Sequence, residues 1–246
     1  MATHLVIGDP HCTPGTSNER FLWAGRLAKD IKATHVICMG DFCSVDSLSS
    51  YDKGKMSFEG KRFNKDVEHT EDALAKFNKG LGSYKVKKTM ILGNHEDRID
   101  RVVQDNPELE GTLSISSLNY KKFGWKQVPY KQIKVIDGVH YVHYLPSGVM
   151  GTSISGENIA RTILNKHKVS ATVGHSHLLD YAISTTPLGK KLHALSAGCY
   201  LTHKESYAKG TQHLWWSGLI IKYNVNNGTY DLETMSIKQV KKLYGW

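Results

Sequence analysis

The chain has 246 residues, 40% hydrophobic and 22% charged, with a formal net charge of +9. That balance belongs to a chain able to bury a sizeable core and excludes a disordered or fibrous polypeptide. The excess of Lys and Arg favours anionic partners without naming one. No apolar run approaches the roughly 20 residues that a membrane span needs. Asp9 and His11 interrupt the N-terminal apolar stretch before a secretory core can form. Cys12, Cys38, Cys43 and Cys199 contain no Cys-x-x-Cys spacing, which reads as the reduced thiols of a cytoplasmic protein.

In chain order, the spacing predicts a strand over 4–7 that ends in Gly8-Asp9. A helix follows, with Asn18 as its cap and Phe21, Leu22, Leu27, Ala28 and Ile31 near helical spacing. A second strand over 35–39 ends in Gly40-Asp41. Residues 43–66 read as a lysine-rich loop insertion, too long for a plain connector. A helix over 63–77 leads to a third strand, 88–92, which ends in Gly93-Asn94-His95. A helix over 96–103 is followed by a stretch to Gly124 of no clear type. Beyond it come strands at 132–136 and 139–142, a helix over 157–167, and an apolar segment running into Gly174-His175-Ser176-His177. Four strands are expected in the tail, near 178–184, 191–197, 217–224 and 229–237. Helix-separated strands first and hairpin-like strands later predict an α/β sandwich of two partly mixed sheets, within one domain spanning 1–246.

Thirteen histidines are present, and their placement carries the functional signal. Asp9 and His11, Asp41, Asn94 and His95, His143, and His175 and His177 each follow an apolar segment, and four of these five clusters follow a glycine. Carboxylate, imidazole and amide oxygen together suit Mn, Fe, Zn or Ni ions. The C-terminal ends of parallel strands converge on one edge and gather residues distant in sequence. Any one of these histidines alone reads best as an ordinary surface or core residue. The whole set does not.

Gly8-Asp9-Pro10-His11, Gly40-Asp41, Gly93-Asn94-His95-Glu96, His143 and Gly174-His175-Ser176-His177 resemble, in order, the motifs of the calcineurin-like metallophosphoesterase superfamily. The resemblance implies a two-metal site. Asp9, His11 and His177 would hold one ion; Asn94, His143 and His175 would hold the other; Asp41 would bridge them. Mn2+ is the favoured ion, with Fe, Zn or Ni as alternatives. Two cations about 3.5–4 Å apart acidify the water between them and stabilise in-line attack of the resulting hydroxide at phosphorus. His95 would stand near the leaving-group oxygen, as proton donor or positive charge, oriented by Asp46 or Glu96. His140 competes with His143 for the ligand position, and the strand-end placement favours His143. Where the superfamily usually has Gly after this His, Tyr144 stands here.

For the substrate, Arg98 and Arg101 follow the Asn-His motif and either face the site or ride a solvated helix. Lysines cluster at 53–65, at 76–88 and at 121–134, the last among Tyr120, Phe123, Trp125 and Tyr130. Basic residues beside aromatics can track a nucleic-acid backbone and stack bases. Solvated lysines over a core of aromatics account better for any one cluster. The first cluster is the best candidate for a substrate contact because its loop starts at Asp41. The resulting expectation is a phosphodiesterase or nuclease acting on DNA or RNA, with no membrane partner. The alternatives are a phosphomonoesterase acting on protein or nucleotide, and a catalytically silent metal-binding interaction protein.

Overall fold

The computed structural model describes residues 1–205, 208 and 210–246. Eleven strands are described: β1 (Ala2–Ile7), β2 (His35–Cys38), β3 (Lys87–Ile91), β4 (Trp125–Val128), β5 (Lys134–Ile136), β6 (Val139–Tyr141), β7 (Ala171–Val173), β8 (Leu179–Thr185), β9 (Lys191–Ala197), β10 (Gly218–Asn226) and β11 (Thr229–Ser236). The helices are α1 (Glu19–Asp30), α2 (Phe63–Leu81), α3 (Asp97–Asp105), α4 (Ile159–His167) and α5 (Ile237–Tyr244). They build two mixed sheets, one of six strands in the order β11-β10-β1-β2-β3-β4 and one of five in the order β5-β6-β7-β9-β8. The strands β1 to β4 pair in parallel, while β10 runs antiparallel to β1.

Strand periodicity explains the layering. Leu5, Ile7, Val36 and Cys38 point to one face of the first sheet and pack against Phe21, Leu27, Leu74 and Phe77 of α1 and α2. Val6, Ile37 and Ile91 point to the other face and meet Val139, Tyr141 and Leu195 of the second sheet. On the far side of that sheet, Ile159, Ile163 and Leu164 of α4 cover Ala171, Val173 and Ala194. The result is four layers, helix–sheet–sheet–helix. Strands buried on both faces read as unbroken apolar runs, which is why β1 and β2 stand out in the sequence.

The inter-sheet layer also contains polar side chains. Lys222 on β10 is fully buried, its Nζ bonded to Thr172 Oγ1 and 3.4 Å from Tyr141 Oη. Burial pushes its pKa well below the ordinary lysine value. His4, on the same face of the adjacent strand, is held at about 4 by burial, against the opposing pull of its hydrogen bond to Asp137. All four cysteines are free and buried. Among the described residues no helix is long and apolar enough to cross a membrane.

Two elements depart from the sequence expectation. The stretch that runs up to Gly124 leads into β4, which completes the parallel edge of the first sheet through pairing with β3. The last strand stops at Ser236, whose hydroxyl accepts from the Gln239 N–H and caps α5, a helix the spacing did not announce. Irregular backbone runs from Cys43 to Arg62 with two short 3-10 turns, and α2 takes over at Phe63.

Candidate dinuclear metal centre

The C-terminal ends of β1, β2 and β3 in one sheet, and of β6 and β7 in the other, meet at a single edge. Asp9 and His11 follow β1, Asp41 follows β2, Asn94 and His95 follow β3, His143 follows β6, and His175 and His177 follow β7. All eight are brought together. Asp9, His11 and His177 present ligand atoms within 4.8 Å of one another, and so do Asp41, His143 and His175. Asn94 Oδ1 joins the second group, 3.0 Å from both His143 Nε2 and His175 Nδ1. Asp41 lies between the groups, with Oδ2 3.4 Å from His143 Nε2 and 3.8 Å from His11 Nε2. His140 is elsewhere, its Nδ1 donating to the Ser170 carbonyl.

The backbone at this edge is strained. His11, Asp41, His175 and His177 all have positive φ, at 42°, 47°, 68° and 61°. A non-glycine residue in the left-handed region costs energy and persists only where its surroundings over-determine it. Two glycines make the close approaches possible. A Cβ on Gly93 would lie 2.1 Å from Asp41 Oδ1, and one on Gly174 would lie 2.3 Å from Asp9 Oδ1. These two glycines therefore keep space for a carboxylate of another cluster, while Gly40 keeps space for His143 Nδ1 and Gly8 for the Ala197 and Gly198 carbonyls.

The donor set fits two divalent cations. Asp9 Oδ1 is buried and accepts no hydrogen bond, although an unpaired buried carboxylate oxygen is costly. Beside it, His11 Nε2 and His177 Nε2 face each other at 3.0 Å. Mixed carboxylate, imidazole and amide donors aimed at common points suit first-row transition metals.

Electrostatics follow from burial and from Asp41. Burial disfavours the Asp41 carboxylate, but His143, His95 and His11 around it win and hold its pKa well below the ordinary value. Burial likewise works against a charged His143, yet Asp41 lifts it to about 10. Burial lowers His11, His95 and His175.

His95 is 8% exposed and donates Nδ1–H to the Ser44 carbonyl at 2.9 Å. Its Nε2 therefore faces the cleft, 3.9 Å from Asp41 Oδ2 and 3.5 Å from the Arg98 guanidinium. Neither Asp46 nor Glu96 orients the ring, a correction to the sequence expectation. Asp46 instead accepts from Thr13 and Arg98. Glu96 is fully buried and accepts the backbone N–H groups of Asp41, Phe42, Cys43 and Gly93. Its position directly after the Asn-His pair was the only sequence signal for that task.

Arg98 faces the site, donating to the Ser44 carbonyl at 2.7 Å, and Arg101, more exposed and paired with Asp97, donates to the Asn94 carbonyl at 3.2 Å. Tyr144 lies against His175 with ring centroids 5.4 Å apart, and Trp215 stands edge-on to His177 at 4.2 Å. Sequence reasoning gave neither a place at the site. Three lysines of the 76–88 and 121–134 clusters are held by other partners. Lys76 pairs with Glu19 and Asp72, Lys88 bonds Asn78, and Lys122 pairs with Glu71. Tyr120 and Trp125 are buried in the core.

The calcineurin-like phosphoesterase family profile matches residues 3–221, and the chain belongs to that family. No curated protein matches it in sequence. Among solved structures it is similar to a dimetal phosphatase from Danio rerio, at 10% identity over 96% of each chain with a TM-score of 0.42. It is also similar to an E. coli phosphoesterase, at 11% identity, 96% and 99% coverage and a TM-score of 0.37. A Pseudomonas putida nuclease matches at 15% identity, over 94% of this chain and 87% of that one, with a TM-score of 0.35. Likenesses this loose bear on neither substrate nor mechanism. Family and donor set together define a metal-dependent hydrolase of the calcineurin-like superfamily with candidate dinuclear metal sites.

Proposed function

We propose that the protein is a phosphodiesterase acting on nucleic acid, DNA or RNA, with Mn2+ as the favoured ion. The observation that carries this reading is the shape of the cleft. Two cavities adjoin, sharing Ser49, Tyr51 and Arg98. One, of about 480 Å³, reaches His95 and is lined by Lys55 and Lys61 together with Asp46, Asp52 and Glu205, Lys61 being paired with Asp52. The other, of about 370 Å³, reaches Asn94 and is lined by Arg101, Tyr130 and Lys131 together with Asp97. A phosphodiester carries a substituent on each side of phosphorus, and this cleft offers room on both, with Arg98 shared between them. A monoester needs only one.

In this reading Asp9, His11 and His177 would hold one ion, Asn94, His143 and His175 would hold the second, and Asp41 would serve both. Bound there, the two ions supply a nucleophile from water at neutral pH and charge neutralisation at the phosphoryl oxygens. In its imidazolium form, His95 would give the Nε2 proton to the leaving oxygen and keep Nδ1–H on the Ser44 carbonyl, and Arg98 would fix a phosphoryl oxygen beside it. Tyr51 and Tyr130 offer faces for bases.

The test compares kcat/KM of the Mn2+-loaded protein on bis-p-nitrophenyl phosphate and p-nitrophenyl phosphate, then on single- and double-stranded oligonucleotides. A diester preference lost in His95→Ala is expected. A strong monoester preference would overturn the nucleic-acid reading in favour of a phosphatase.

A further inference from the structure

At the opposite edge of the first sheet, the N-terminal ends of β1 and β2 carry a second group of metal-type ligands. His4 pairs with His35 across the parallel ladder, which sets their rings on one face with centroids 5.0 Å apart. A carboxylate arrives from the other sheet. Asp137 and Gly138 form the two-residue turn between β5 and β6, both at positive φ, 48° and 82°, as a type I′ hairpin turn requires. The Gly228 N–H, from the β10–β11 turn, donates to the Asp137 carbonyl at 2.9 Å and fixes that turn against the first sheet.

We propose that His4, His35 and Asp137 form a third metal site, distinct from the dinuclear centre, that takes a zinc ion and ties the two sheets together. Asp137 Oδ2 lies 2.8 Å from His4 Nε2 and 3.8 Å from His35 Nδ1. Donors bound to one tetrahedral zinc at 2.0–2.1 Å lie about 3.3 Å apart, midway between these separations. Two imidazoles and a carboxylate suit zinc better than magnesium or calcium. Three protein ligands leave the fourth position for water on the side where the Asp137 side chain, 38% exposed, reaches solvent.

The surroundings are arranged as for a bound ion. Tyr141 Oη is 2.7 Å from His4 Nδ1, so the buried ring is held with Nε2 aimed at Asp137. Metal-bound histidines characteristically bond a polar partner through the other nitrogen. With zinc bound, His4 Nδ1–H donates to the tyrosine oxygen. Lys222 lies 3.4 Å from that same oxygen, and burial pushes its pKa well below the ordinary lysine value. His35 Nδ1 exchanges its contact with Thr34 Oγ1, at 3.1 Å, for the ion, while Thr34 keeps its two bonds to the Thr3 backbone. Five residues of strand rise separate His4 from Asp9, roughly 16 Å along the chain, so the proposal is independent of the reading of the dinuclear centre.

The test is a difference in zinc content. The full chain, His35→Ala and Asp137→Asn are each loaded with excess Zn2+, desalted, checked for native near-UV circular dichroism, and analysed by mass spectrometry for zinc per chain. His35 lies at the start of its strand with a partly exposed ring, so its truncation spares the core. The proposal expects the unmodified protein to retain one more zinc per chain than either variant, whatever the occupancy of the dinuclear centre. Equal zinc content in all three proteins would overturn it and leave the cluster a hydrogen-bond network. His35→Gln, which keeps a polar side chain without the imidazole, gives the second reading of the same difference.

Discussion

Glu96 accepts the backbone N–H of Asp41 at 3.0 Å, so the residue placed between the two ligand groups is held by the neighbour of the Asn-His motif. The same carboxylate takes Phe42 N–H at 2.8 Å, Gly93 N–H at 2.8 Å and the Tyr120 hydroxyl at 3.0 Å. Burial, and then the nearby Asp41 charge, push the Glu96 carboxyl up to about 7. The backbone N–H groups and the Tyr120 hydroxyl that Glu96 accepts offset that cost, and the same bonds hold Asp41 at its left-handed φ.

Glu96→Ala strands several buried N–H groups, each worth about 1–3 kcal/mol unpaired. The expected outcome is destabilisation of at least about 3 kcal/mol in urea unfolding, together with loss of bound metal. Glu96→Gln keeps one acceptor oxygen and is expected to fall between. Metal retained in full by Glu96→Ala would show that Asp41 needs no such support.

Metal binding should release protons. Asp41 lifts His143 to about 10 in the metal-free protein, so at pH 8 the ring is protonated. A ligand imidazole must be neutral. Apparent affinity is therefore expected to rise about tenfold per pH unit up to about pH 10 and to weaken toward pH 6. Calorimetric titration of Mn2+ in buffers of different ionisation enthalpy checks this. A heat independent of buffer would contradict the His143 assignment.

Arg98 bonds the Ser44 carbonyl that also accepts from His95. Arg98→Ala is expected to lower kcat/KM for a diester by about 10–100-fold, as for a lost charge-assisted contact in the transition state. Metal content should be unchanged. A fall in bound metal with unchanged kcat/KM per metal would assign Arg98 to support of the centre instead.

Lys222 gives a stability prediction far from the site. Its pKa is lowered well below 10.5 by burial alone. The unfolded chain binds a proton there that the folded chain does not, so the cost is present below the unfolded pKa and fades as pH rises through it. Lys222→Met is expected to flatten the rise in unfolding free energy between pH 7 and pH 10. An identical slope in both proteins would show that the amine is charged in the fold.

Much of this architecture is legible in the sequence because β1, β2 and β3 are buried on both faces and end in glycine followed by a polar residue. These glycines allow close approaches that a Cβ would block, to a carboxylate at Gly93 and Gly174, to His143 at Gly40 and to backbone carbonyls at Gly8. The short β4 is not legible, since its burial pattern depends on pairing with β3. The helix α5 follows β11 without a break and is marked only by the Ser236 cap. The support of His95 by a backbone carbonyl, at Ser44, leaves no trace in residue type. The His4, His35 and Asp137 cluster is invisible for a related reason: it depends on strand register and on a turn of the opposite sheet. Composition does not show which lysines of a cluster are free, because acidic partners distant in sequence, such as Glu19 for Lys76 and Glu71 for Lys122, pair with some of them.

The most direct measurement is the metal stoichiometry and electron spin resonance of Mn2+-loaded protein beside Asp41→Asn, with diester hydrolysis followed in parallel. At the dinuclear centre the account predicts two magnetically coupled ions per chain in the unmodified protein, and loss of the coupling and of hydrolysis in Asp41→Asn. Uncoupled ions in the unmodified protein, or coupling and activity that survive in Asp41→Asn, would contradict the placement of Asp41 between two metals.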